Sequence, residues 1–431
     1  MRSAFLFLIL GCAAAGVSQE APAQLSPAEV RALLDRVSSL EKRVAELEAR
    51  QAAVVPASAP DSRNQLSASQ TEPAPSPAQN APPYQDPGQH HKPEMQAQMS
   101  EAESFPTLKI RGFADVDFAS SDQPGTVNGF SMGQFVLHFV SRLSNKISYF
   151  GEVSLTAQPN LYNVDLERSY IRYDVNDAAK VSFGRYHTPI NYWNTAFHHG
   201  AWLQTTIARP DMIRFGGTFE PVHFVGAQSE GSIPLSGLNL GYNVGLGNGR
   251  GSIFSRPGDA GDINSNRAWL VNAFSRPSAF PRLQVGGSFY KDKATLTSGV
   301  GIDGANFNEW IAAGHLVWAS EYPEFLAEFA QVRHRSDLTG RSFDSQGGYV
   351  QLAYRLPILQ KKWKPYFRYD YIQVPFDDPV FLSVPNVRGF TLGTRYDISD
   401  FAALKGEYRN GRGITSTERV NSVVLQTAFT F

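Results

Sequence analysis

The stretches "LKIRGFADVDF" (108–118), "KISYFGEVSL" (146–155), "LNLGYNVGLG" (238–247), "KPYFRYDYI" (364–372) and "FAALKGEYR" (401–409) share one pattern: apolar and polar side chains alternate. A period of two gives an extended chain one greasy face and one wetter face. The unit recurs from about residue 105 to Phe431, each run followed by a connector. At about 20 residues per strand with its connector, roughly 325 residues give around 16 strands. The chain ends in "SVVLQTAFTF", with Val423, Leu425, Thr427, Phe429 and Phe431 on one parity. A last strand of this kind closes on the first, near Lys109 to Asp117, and leaves no open edge.

The connectors alternate in length. Residues 141–145, 175–179, 233–237, 276–281, 320–324, 357–362 and 398–400 read as short turns. Residues 120–129, 188–213, 248–265, 292–306, 335–346, 374–386 and 411–420 read as long loops, with 158–163 the one short member of that side. Short turns on one rim and long loops on the other are the habit of membrane barrels, with both chain ends on the short-turn side. A soluble sandwich would instead bury its uniform face. Tyr149, Tyr173, Tyr242, Tyr290, Trp310, Trp318, Tyr322, Trp363, Tyr369, Tyr396 and Tyr408 cluster near predicted strand ends, as in interfacial girdles. The expected fold is therefore all-β, a transmembrane antiparallel β-barrel of about 16 strands, preceded by a short α-helical coiled coil.

The residues before the barrel divide into three. Residues 1–20 read as a signal peptide: Arg2, an apolar core from Phe5 to Leu10, then small residues. Cys12, the only cysteine, follows "LILG", which resembles a lipid-attachment box, although Leu10 is unusual there. Residues 25–52 read as a coiled coil, with Val30, Leu33, Val37, Leu40, Val44 and Leu47 on a narrow heptad seam. "RVSSLE" and "RVAELE" resemble a signature of three-stranded coils. Residues 53–104, rich in Pro, Ala and Gln, read as a disordered linker before the barrel at 105–431. Its His90, His91, Met95 and Met99 lack the surrounding shell that fixes metal ligands.

Parity assigns the inner wall. On the first strand Leu108, Ile110, Ala114 and Val116 face out, so Lys109, Arg111, Asp115 and Asp117 face in. Gln134 and His138, Glu152, then Lys364, Tyr366, Arg368 and Asp370, then Arg395, then Lys405, Glu407 and Arg409 follow on later strands. Such residues on the lipid face would cost up to ~2–4 kcal/mol at mid-depth for Lys or Arg. "DLERSYIRYD" (165–174) is polar on both parities and cannot be oriented this way. The inner wall reads as charged with both signs, the basic ones slightly ahead.

The connector within 184–214 carries His187, His198, His199, Arg209 and Arg214 against Asp211, and with them Tyr192, Trp193, Phe197 and Trp202. An aromatic, amphipathic loop of this kind is expected to fold into the lumen and narrow it. Tyr192, Trp193, His198, His199, Arg209 and Arg214 are the constriction candidates, and the positive balance favours anionic solutes. Adjacent histidines rarely aim at one ion, so no metal site is assigned.

The region from Leu108 to Phe431 resembles the trimeric outer-membrane porins. It lies nearest the phosphate-selective porin (O and P) superfamily, with relatives that carry an N-terminal periplasmic coiled coil. The resemblance rests on "LKIRGFADVDF", on "ERSYIRYDV" followed by "VSFGRYHTPI", and on the terminal Phe431. It implies a passive diffusion channel in the bacterial outer membrane, a homotrimer, and a third loop folded inward. Outer-membrane lipid, lipopolysaccharide and small-molecule or ion solutes are the implied partners. The charge ladder of a dedicated phosphate channel is not evident, so sugars and dicarboxylates remain open as solutes.

A barrel-anchored tether between outer membrane and cell wall is the alternative, with the coiled coil reaching the wall. No Gly-x-Ser-x-Gly motif occurs, so no enzyme and no catalytic residue is assigned, and no cofactor is expected. A net charge of −1 argues against a nucleic-acid partner.

Overall fold

The computed structural model describes residues 105–431 except 127, 198, 215, 298–303 and 413–418. The signal peptide, coiled coil and linker lie outside the described residues. Sixteen strands form one closed antiparallel barrel, each bonded to its sequence neighbours, with the first paired to the last. They are β1 (Thr107–Ser121), β2 (Gly129–Arg142), β3 (Ile147–Gln158), β4 (Leu161–Asn176), β5 (Ala179–His187), β6 (His223–Ile233), β7 (Leu240–Asn248) and β8 (Ala268–Ser275). The second half comprises β9 (Leu283–Thr295), β10 (Asn306–Trp318), β11 (Glu324–Ser336), β12 (Ser342–Ala353), β13 (Trp363–Gln373), β14 (Val387–Ser399), β15 (Ala402–Arg412) and β16 (Val420–Thr430). No described helix is long and apolar enough to cross a membrane; this barrel crosses with strands.

Closure runs through the chain end. Phe113 pairs with Thr430, and Gly112 and Phe431 exchange backbone bonds of 2.8 and 3.0 Å. The Phe431 ring lies over Gly112 and tilts against Phe135 at 5.8 Å. Outward side chains are large and exposed: Val423, Leu425 and Phe429 on β16, Leu108 and Ile110 on β1, Phe367 and Tyr369 on β13. A bilayer removes that apolar band from water.

Three expectations need correction. The β11–β12 connection spans only 337–341, because both strands extend further than their alternation suggests. The loop after β5 continues to residue 222. Tyr290 is fully buried inside the barrel, where its hydroxyl donates to Asp292 at 3.0 Å, so it belongs to no girdle. The structure also orients β4, which the alternation left open. Glu152 of β3 pairs with Arg168 and Val153 with Leu166, so Glu167 is an extra, bulged residue. A bulge shifts the parity by one. Before it Tyr162, Val164 and Leu166 are exposed; after it Ile171, Tyr173 and Val175 are. Glu167 and Arg168 both turn inward and are buried.

Candidate functional site

Residues 188–222 leave β5, cross the lumen and return at β6. The first stretch holds a single helical turn, α1 (Trp193–Ala196), and a 3-10 turn follows at Asp211–Ile213. Asn191 takes a left-handed φ of 60°, a conformation its short polar side chain tolerates.

Polar side chains from the far wall hold this backbone. Asn191 N–H donates to Ser288 Oγ on β9 at 2.9 Å. The N–H groups of Tyr192 and Trp193 both donate to Glu328 Oε1 on β11, at 2.9 and 2.6 Å. Lys405 Nζ on β15 donates to the carbonyls of Ala201, of Gln204 at 2.8 Å and of Thr206 at 3.0 Å. Arg395 on β14 donates to the carbonyls of Trp202 (2.6 Å) and Gln204 (3.0 Å). Arg368 on β13 donates to those of Ala208 (2.6 Å) and Arg209 (2.9 Å). Acids take the opposite groups: Ile207 N–H donates to Glu407 at 2.5 Å, and Asp211 N–H to Asp370 at 3.1 Å. A loop inside a barrel has backbone groups that water cannot reach, and these side chains supply the missing partners.

Apolar packing fixes the same segment. Ile190, Trp193, Met212, Ile213 and Phe219 join Phe224, Leu270, Ile311, Val332 and Phe381 in one buried cluster inside the barrel. Phe219 stacks on Phe381 at 5.6 Å and sits over Gly347, where a Cβ would lie 2.6 Å from the ring. Arg250, from the connection after β7, donates to Glu309 at 2.8 Å and to the Phe219 carbonyl at 3.2 Å. His334 bridges Glu309 (2.8 Å) and Asp378 (2.6 Å). Two further long connections thus pack onto the first.

On the other wall a polar layer forms from β2 to β6. Glu152 receives His138 at 2.9 Å and the Arg168 guanidinium. His187, His199 and His223 gather with ligand nitrogens all within 4.8 Å of one another. Glu167 lies 3.3 Å from His199 Nε2 and 2.8 Å from His223 Nε2.

The inner-wall candidates therefore occupy a different environment from the open aqueous one expected. Lys364, Arg368, Asp370, Lys405, Glu407, Glu152, His138, Asp115 and Arg395 are all buried. Arg409 keeps partial exposure beside Glu407, while Lys109 and Arg111 are exposed at the start of β1. Among the loop candidates, Tyr192, Trp193 and His199 are buried, and the Arg209 guanidinium covers the Trp193 ring at 4.7 Å. Arg214 is exposed, and His198 lies outside the described residues. Burial beside the Glu328 carboxylate pushes the Glu220 carboxyl up. Burial and the neighbouring Asp370 push that of Asp211 up to about 6.

Sequence reasoning passed over Glu328, Glu167, His223, Glu309 and His334. Glu328 had a signal: it is a lone charge inside the apolar run "FLAEFA" (325–330). His223 had none, because its partners come from β4, β5 and the crossing loop.

No protein-family model and no curated protein matches the sequence. Solved structures do match in fold. An anion-selective porin from Comamonas acidovorans is 10% identical, with a TM-score of 0.55 over 76% of this chain and 100% of that one. The outer membrane channel DcaP of Acinetobacter baumannii is 14% identical, with a TM-score of 0.53 over 76% of this chain and 97% of that one. OmpT of Vibrio cholerae, an outer membrane protein solved in trimer form, is 12% identical, with a TM-score of 0.52 over 76% and 99%. At these identities the likeness is one of fold.

Proposed function

We propose that this chain is an outer-membrane porin, a passive channel for small hydrophilic solutes, and that it works as a homotrimer. The observation that carries the reading is residues 188–222, held across a sixteen-stranded barrel by Lys405, Arg395, Arg368 and Glu328. A loop that fills part of a barrel at fixed depth leaves a restricted aqueous path. Similarity in fold to an anion-selective porin and to a protein solved as a trimer supports the same reading. Partly exposed inward groups carry both signs, including Arg172, Asp174, Glu230 and Arg409, which suits diffusion better than tight binding.

The finer part of the proposal is a weak anion preference. On the loop Arg209 and Arg214 stand against Asp211 and Glu220, both of whose carboxyls are pushed up and so carry less charge in mild acid. The barrel would sit in the outer membrane, with the coiled coil of residues 25–52 in the periplasm reinforcing the trimer.

Planar-bilayer recording of the purified full chain tests both parts. Conductance steps in groups of three support a trimeric porin, and a protein that inserts without conducting overturns the channel. The reversal potential in a salt gradient reads the preference: a cation-selective value removes the anionic part.

A further inference from the structure

We propose that His187, His199, His223 and Glu167 form a binding site for a divalent transition-metal ion of the zinc class, and that the ion ties the crossing loop to the barrel wall. His187 ends β5 and His223 begins β6, and the two are register partners across that strand pair. His199 comes from the loop, with its ring centroid 5.9 Å from that of His187. The chemistry is that of three imidazoles and one carboxylate, a donor set suited to zinc and its neighbours.

The geometry is close to what an ion requires. Metal–nitrogen bonds of about 2.0–2.1 Å in a tetrahedron place the nitrogens about 3.3 Å apart. With all three ligand atoms inside 4.8 Å of one another, each moves by less than about 1 Å to reach that spacing. Glu167 Oε2 already approaches two of the rings, at 3.3 and 2.8 Å.

The surroundings orient the donors. Gln134 Oε1 lies 3.2 Å from His199 Nδ1, and its amide nitrogen donates to Thr156 Oγ1 at 3.1 Å. A carbonyl oxygen there accepts the Nδ1 proton and leaves the Nε2 lone pair aimed at the cluster. Ser154 Oγ donates to Glu167 Oε1 at 2.7 Å, which keeps Oε2 on the histidine side. Glu152, engaged by Arg168 and His138, also lies 3.5 Å from His187 Nε2, so Glu167 is the carboxylate with an oxygen left for the ion and Glu152 adds negative charge behind His187. Glu167 reaches this position only because the β4 bulge turns it inward. An ion held by both ends of residues 188–222 and by His199 in between would divide the loop into two shorter closed segments and restrict its motion.

Zinc titration of the full chain in detergent, monitored by calorimetry, tests this. His90→Ala and His91→Ala are introduced first to remove the linker histidines. The expected result is one zinc per chain with micromolar or tighter affinity, weakened at least 100-fold by His223→Gln and at least 10-fold by Glu167→Gln. Cobalt(II) should give the visible absorption of a four-coordinate site, lost in His199→Gln. Heat-modified electrophoretic mobility confirms that each variant is folded. No stoichiometric binding by the folded parent overturns the proposal, as does binding that His199→Gln and His223→Gln leave unchanged. Neither readout depends on conduction, so this result stands apart from the channel assignment.

Discussion

Lys405 Nζ donates to the carbonyl of Gln204 at 2.8 Å, joining β15 to the middle of the crossing loop. Two further carbonyls, of Ala201 and Thr206, share the same ammonium. A buried ammonium is expensive unless all its donors are used, and three carbonyls use all three. The same bonds satisfy a loop backbone that water does not reach. The inner charge ladder is therefore structural first: it sets where the loop lies, and so what space is left inside the barrel.

Lys405→Met keeps the stem volume and removes the ammonium. Three carbonyls then lose a charged donor, each such bond being worth about 1.5–3 kcal/mol. The loop should loosen by about 2–4 kcal/mol once relaxation is allowed. Hydrogen exchange of the amides in 201–208 should accelerate at least tenfold, and bilayer currents should become noisier. Unchanged exchange would mean that Arg395, Arg368, Glu407 and the apolar packing hold the segment without Lys405.

Glu328 accepts both Tyr192 and Trp193 N–H groups, which fixes the start of α1. Glu328→Gln retains an oxygen acceptor and should cost little. Glu328→Ala takes the acceptor away from both amides and should cost about 2–4 kcal/mol locally. Trp193 lies in the apolar cluster beneath, so the near-ultraviolet circular dichroism should weaken in the alanine variant and persist in the glutamine one.

The loop's docking should also respond to pH through Asp211. Its carboxyl is raised from the ordinary 3.8 to about 6 by burial and by Asp370. A docked group that holds its proton more tightly than the free one favours docking at low pH. That contribution is complete below about 3.8 and is lost as pH rises through about 6, an effect of roughly 2–3 kcal/mol. Protection factors in 205–214, taken relative to the intrinsic exchange rate at each pH, should therefore be higher at pH 4.5 than at pH 7.5. Asp211→Asn should protect the segment at pH 7.5 and flatten the difference.

The alternation carried most of the barrel because period two is strong wherever one face meets lipid and the other meets polar groups. Lys364, Arg368 and Asp370 on β13 follow that rule. β11 inverts it near its end: Ala330 and Val332 point into the packed interior, while Gln331 and Arg333 are exposed outside. A dry interior wants apolar side chains, and the sequence alone does not say which stretch of lumen is dry. β4 resisted for another reason, since one bulged residue reverses the parity midway. The inward fold of residues 188–222 was legible from their aromatics, but their anchors lie on strands far along the chain. His223 could be linked to His187 only through the β5–β6 register.

Two glycines separate a tight contact from an obligatory one. At Gly112 a Cβ would lie 2.2 Å from Phe431 Cζ, but that ring is 59% exposed and free to swing away. Gly112→Ala should cost about 1 kcal/mol of packing while the backbone bonds to Phe431 persist. At Gly184 on β5 the φ is +142°, and a Cβ would meet the Ser169 carbonyl at 2.1 Å and Tyr170 Cα at 2.7 Å. Both are backbone atoms of a paired strand and cannot move aside alone. Conformational strain of about 1–3 kcal/mol adds to that overlap. Gly184→Ala should therefore disrupt the β4–β5 pairing that leads into the crossing loop. Temperature series of heat-modified electrophoretic mobility should show a transition lowered by a few degrees at most for Gly112→Ala and far more for Gly184→Ala. Equal transitions in the two variants would mean that the β5 backbone relaxes to accept the side chain.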